Sequence, residues 1–107
     1  MDELTINHTS AVFDISQENV EYVDMPHSSP ARAVILNNNP LSDLGFIRKF
    51  PFAELLQMDN TNMKCFDDLE LQNMKRLQYL ILRLNMLSNF AKLEPNTCLQ
   101  ILDVSMN

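Results

Sequence analysis

The sequence predicts an α/β repeat fold: a right-handed solenoid whose short parallel strands form a concave sheet, covered on its back by the connecting segments. Three observations predict it. A motif of about two dozen residues recurs through most of the chain, apolar residues return at fixed places inside each copy, and an asparagine or a substitute closes each strand.

The clearest copy is Leu77-Gln-Tyr-Leu80-Ile-Leu82-Arg-Leu-Asn85-Met-Leu87, with the pattern L-x-x-L-x-L-x-x-N-x-L. Downstream, Leu99-Gln-Ile-Leu102-Asp-Val104-Ser-Met-Asn107 repeats the frame up to its asparagine. Upstream, Ala31-Arg-Ala-Val34-Ile-Leu36-Asn-Asn-Asn39-Pro-Leu41 fits with alanine in the first slot, and Ala53-Glu-Leu-Leu56-Gln-Met58-Asp-Asn-Thr61-Asn-Met63 fits with threonine in the ninth. A looser copy starts at Ser10, with Glu18 in the ninth slot. The copies therefore begin at Ser10, Ala31, Ala53, Leu77 and Leu99, at intervals of 21, 22, 24 and 22 residues.

The fourth slot holds Phe13, Val34, Leu56, Leu80 and Leu102, and the sixth holds Ile15, Leu36, Met58, Leu82 and Val104. The eleventh adds Val20, Leu41, Met63 and Leu87, and the fourteenth adds Val23, Leu44, Phe66 and Phe90. All of these are apolar. In a chain that is 46% hydrophobic, such agreement arises by chance on the order of once in a million, before the free choice of register is counted.

Slots 4 and 6 are two residues apart, so on an extended strand they point to one face, and slots 3, 5 and 7 point to the other. One short strand cannot bury a face alone, which makes stacking obligatory. The connecting segments, such as Leu41 through Leu44 and Ile47 to Phe50, keep an apolar residue every third position and are expected to cover the back of the sheet. The crossover rule for parallel strands sets the right-handed sense. At the ninth slot the chain leaves the strand, and a buried amide that both donates and accepts suits the backbone groups exposed there.

These residues resemble the leucine-rich repeat family over residues 10–107, with the frames ending in Asn39, Asn85 and Asn107 the most specific. The repeat lengths are similar to the 22-residue class of that family, which implies short helical or 3₁₀ turns along the convex side. The Asp103-Val-Ser-Met-Asn107 ending and uneven spacing resemble Toll-type receptor ectodomains and related secreted leucine-rich immune proteins. The resemblance implies an asparagine ladder between coils, here Asn39, Thr61, Asn85 and Asn107. It implies two parts: an irregular segment 1–9, and a repeat domain 10–107 of about four full copies and a truncated fifth. Because the fifth copy stops at its asparagine with no return segment over Leu102 and Val104, these residues are expected to be a piece of a longer protein or a poorly stable one.

Composition narrows the function. With 14 acidic and 8 basic residues the net charge is −6, which disfavours nucleic acid and anionic lipid as partners. No apolar run is long enough to insert in a membrane. The first residues lack the pattern of a signal peptide, so the expected location is extracellular if such a signal is missing from the chain, and cytoplasmic otherwise. Asn7-His8-Thr9 is a glycosylation acceptor pattern that matters only after export.

Chemistry-bearing groups are sparse. Cys65 and Cys98 lie in no metal-ligand spacing and are expected as buried free thiols; His8 and His27 read as exposed loop residues. Glu18, Glu21, Asp24, Asp67, Asp68 and Glu70 lack the glycine-bearing loop of a calcium site and read as solvated charge on the convex side. The expectation is therefore no enzyme, no cofactor and no metal.

Function is expected on the concave sheet, as protein binding. Its candidate residues are Leu55, Gln57, Asp59, Tyr79, Ile81, Arg83, Leu84, Ile101 and Asp103, where an apolar strip meets a tyrosine and an arginine. Three settings stay open: an innate-immune or receptor-type fragment, a cytosolic regulatory scaffold, and the specificity arm of a larger enzyme. In a fourth reading, Leu55, Ile81 and Ile101 are covered by other parts of a longer chain.

Overall fold

The computed structural model describes residues 12–64, 69, 71–87 and 99–106. Asn7, His8, Cys65, Phe66, Asp67, Asp68, Glu70, Phe90, Cys98 and Asn107 lie outside them, and so do the expectations attached to those residues. Five strands form one parallel sheet: β1 (Val12–Asp14), β2 (Ala33–Ile35), β3 (Leu55–Gln57), β4 (Tyr79–Ile81) and β5 (Ile101–Asp103). The spatial order follows the chain order, each strand pairing with the next, which makes the architecture a solenoid.

Each strand occupies slots 3 to 5 of its copy, and the pairing is in register by slot. Val12 faces Ala33, Ala33 faces Leu55, Leu55 faces Tyr79 and Tyr79 faces Ile101. The longer interval between the third and fourth copies leaves this register unchanged, so the extra residues lie outside the strands. Backbone pairing runs on past the strands: the slot-6 N–H groups of Ile15, Leu36, Met58 and Leu82 donate to Ile35, Gln57, Ile81 and Asp103 of the next coil at 2.8–3.0 Å. One coil's slot-2 carbonyl also serves two donors of the next, as when Glu54 O accepts the N–H groups of Gln78 and Tyr79.

The slot periodicity becomes the core. Val34, Leu56 and Leu80 at slot 4, Leu36, Met58 and Leu82 at slot 6, and Leu41, Met63 and Leu87 at slot 11 are buried. Opposite the sheet, a 3₁₀ helix over Gly45–Lys49 buries Phe46 and Ile47, and Phe50 follows it into the core. Phe50 meets the Phe13 ring at 5.0 Å between centroids, joining the first two coils. A second 3₁₀ turn spans Leu71–Asn73, beside buried Leu69 and Met74. In β5, Leu102 remains 37% exposed although its slot matches Leu80.

The turn off each strand has a common backbone device. The slot-8 residues Gln17, Asn38, Asn60, Leu84 and Met106 all have positive φ, between 55° and 61°. Those of the first four coils still donate their N–H to the slot-7 carbonyl of the next coil, at 2.9–3.3 Å. A left-handed residue thus keeps its place on the ladder while redirecting the chain inward, which brings slot 9 into the interior. Asparagine tolerates this conformation, whereas a bulky apolar residue is strained by roughly 1–2 kcal/mol.

Two stability results follow. Leu80→Ala removes a fully buried side chain and is expected to cost about 2–5 kcal/mol in urea denaturation, with Leu102→Ala costing a fraction of that. Leu84→Asn relieves a left-handed leucine whose side chain packs little, and is expected to raise stability by roughly 1 kcal/mol in the same measurement.

Candidate functional site

Two polar columns hold the end of the sheet and set the face that a partner would meet. In the first, the Asn85 Oδ1 accepts the N–H groups of Thr61 and Met63 at 2.9 and 3.0 Å. Its Nδ2 donates to Met58 O at 2.8 Å, with Leu82 O and Arg83 O at 3.1 and 3.2 Å. Asn39 repeats this geometry two interfaces away, with Oδ1 accepting Glu18 and Val20 N–H and Nδ2 reaching Ile15 O, Leu36 O and Asn37 O. Each amide ties its own turn to the turn of the preceding coil. Both side chains are buried.

Thr61, also buried, has a single hydroxyl, which lies 3.1 Å from both Met58 O and Asn85 Oδ1. One hydroxyl proton can go to only one of them at a time, and both lie in its own or the following coil, so Thr61 does not make the link to the preceding coil that each amide makes. Glu18 takes part through its backbone N–H, with its side chain exposed.

The second column lies at slot 7. Asn37 Oδ1 accepts the N–H of Asp59 at 2.8 Å, and Asp59 Oδ1 accepts the N–H of Arg83 at 2.8 Å. The other carboxylate oxygen of Asp59 receives Arg83 Nη2 at 2.9 Å, Arg83 Nε at 3.2 Å and Gln57 Nε2 at 2.9 Å. Asp59 is therefore only 7% exposed and committed to its neighbours, while the Arg83 side chain is nearly half exposed. The Asp59 hydrogen bonds and charge hold Arg83 firmly protonated and fix the direction of its guanidinium.

At both ends of the sheet, an Asp-x-Ser pair makes a local cap. Asp14 Oδ1 accepts the Ser16 N–H and hydroxyl at 2.9 and 2.7 Å, and Asp103 Oδ1 accepts the Ser105 N–H at 3.0 Å. Hydrogen bonds from Ser16 hold the Asp14 carboxyl below its ordinary pKa, as those from Ser105 do for Asp103, where Arg83 adds a smaller pull. A depressed carboxylate pKa contributes stability above the unfolded value and loses it as pH falls through the folded one, so both groups are ionised at neutral pH.

Of the nine residues expected on the concave face, Leu55, Gln57, Tyr79 and Ile81 form a half-buried strip across β3 and β4, in register. Ile101 and Asp103 extend it onto β5, where Ile101 is 49% exposed. Asp59 and Arg83 border the strip as an ion pair, and Leu84 stands beside them in the turn. Sequence reading placed Asp59 and Arg83 on this face but missed their pairing with each other and with Asn37, and it missed the exposed Met86. The polar run Asn37-Asn38-Asn39 was the signal for the turn geometry, since asparagine is enriched in the left-handed region.

An open groove of about 750 Å³ lies between the second and third coils, lined in part by Leu41, Asp43, Met63, Lys64 and Met86. Two of its polar groups are already occupied: Ser42 Oγ donates to Glu21 O, and Asp43 Oδ1 accepts the Gly45 N–H. Among the described residues, no group of three or more His, Cys, Asp or Glu side chains could hold a metal ion, and no helix is long and apolar enough to cross a membrane. Comparison of the chain with family models, curated proteins and solved structures finds no match.

The buried columns make a measurable contrast. Asn85→Ala strands several buried backbone groups and is expected to cost about 3 kcal/mol or more, whereas Thr61→Val forfeits one hydroxyl bond and is expected to cost about 1 kcal/mol. Urea denaturation of the two variants tests the difference.

Proposed function

We propose that this chain is a leucine-rich repeat segment, coiled in the right-handed sense, that binds a protein partner on its concave sheet. The observation that carries the reading is the strip of Leu55, Tyr79, Ile81 and Ile101 bordered by the Asp59–Arg83 pair. A tyrosine and a pre-oriented arginine beside a flat apolar surface are the residue types that anchor protein interfaces. The sheet is held at its turns by buried amides, so the face is rigid before binding and loses little entropy on contact. The repeated slot pattern, the in-register sheet and the asparagine contacts support the family assignment. The ending Asp103-Val-Ser-Met-Asn107 supports a receptor-type or secreted setting.

The test replaces Tyr79→Thr, Ile81→Thr and Arg83→Gln together, glutamine retaining a donor for Asp59. Pull-down from the native source is expected to lose the partner bound by the unaltered chain, while circular dichroism and the melting temperature show an intact fold. Unchanged partner capture by a folded triple variant overturns the reading.

A further inference from the structure

The slot-8 column changes character along the solenoid. Asn38 and Asn60 fill it in the second and third coils, where the Asn60 Nδ2 donates to Asn38 Oδ1 at 3.0 Å. The next two coils place Leu84 and Met106 there, both at φ 60°. Neither side chain is used by the core, since Leu84 is 50% and Met106 74% exposed, with Ile101 also exposed on β5. The chain itself shows that asparagine suits this place. Two neighbouring coils instead hold strained backbone that presents aliphatic side chains to solvent, and persistent strain of this kind points to a function.

The charge around the ridge indicates what it meets. Arg83 is neutralised by Asp59, and Asp103 is the remaining carboxylate, held ionised by Ser105. The local charge of these three groups is therefore −1, on a chain of net charge −6. A second copy would bring the same sign and be repelled, as would nucleic acid or anionic lipid.

We propose that Leu84 and Met106, neighbours in the slot-8 column, seat an apolar side chain of a basic protein segment whose neighbouring lysine or arginine meets Asp103. This rests on the protein-binding reading above and specifies the chemistry of that partner. Leucine and methionine offer an adaptable apolar seat, and the carboxylate selects for positive charge.

The probes are two fluorescently labelled peptides of equal length, one alternating leucine with lysine and one leucine with glutamate, titrated by fluorescence anisotropy. The chain is expected to bind the lysine peptide in preference to the glutamate peptide. The double variant Leu84→Asn, Met106→Asn is expected to weaken that binding by at least about tenfold while its melting temperature holds or rises, so lost binding is not lost folding. Asp103→Asn is expected to weaken it several-fold and flatten its salt dependence. Equal affinity for both peptides, or undiminished binding by the double variant, overturns the proposal. So does sedimentation showing a dimer that the double variant abolishes, which would assign the ridge to a second copy. The two readings fail separately: an unaffected Leu84, Met106 variant removes the ridge and leaves the concave reading, whereas an unaffected Tyr79, Ile81, Arg83 variant in the pull-down removes the concave reading.

Discussion

Two buried side-chain amides, Asn39 and Asn85, hold together the most demanding part of this fold. Each coil must leave its strand and turn across the top of the core, where backbone groups face away from water. Each amide accepts two N–H groups and donates to carbonyls on both its own and the preceding turn. Without them the turn would carry buried groups lacking partners, at a cost of about 1–3 kcal/mol each.

Bringing slot 9 inside requires slot 8 to reverse the chain within one residue, and the left-handed conformation does this without taking its N–H off the ladder. That requirement couples a structural need to surface chemistry. The left-handed side chain projects from the turn, so whatever the chain places there is displayed. Asparagines give a polar corner on the inner coils; Leu84 and Met106 give an apolar one near the far end.

The open face of the sheet is braced by the same kind of ladder. Arg83 is held by Asp59, whose own N–H is accepted by Asn37, so three coils share one polar line beside an apolar strip. The Asp59 carboxylate is spent on orienting Arg83 and is nearly closed to solvent. A preset arginine of this kind forms specific contacts with less loss of side-chain freedom than a mobile one.

The repeat pattern by itself determined the stacking, the strand positions and the core slots. A face that recurs every 21 to 24 residues and cannot be buried within one coil has a single economical solution, and Val34, Leu56 and Leu80 lie where the pattern put them. The sequence likewise marked Asn39 and Asn85 as inward-facing, because polar residues at fixed places in an apolar frame need partners. Only the tertiary structure decided how the polar groups at slot 7 are used. Asp59 and Arg83 are 24 residues apart, and their pairing exists only after two coils are placed side by side. The strain at Leu84 and Met106 was less visible: Asn38 and Asn60 signal a left-handed slot 8, but leucine and methionine carry no such signal, and the turn shared by the coils imposes the same φ on them.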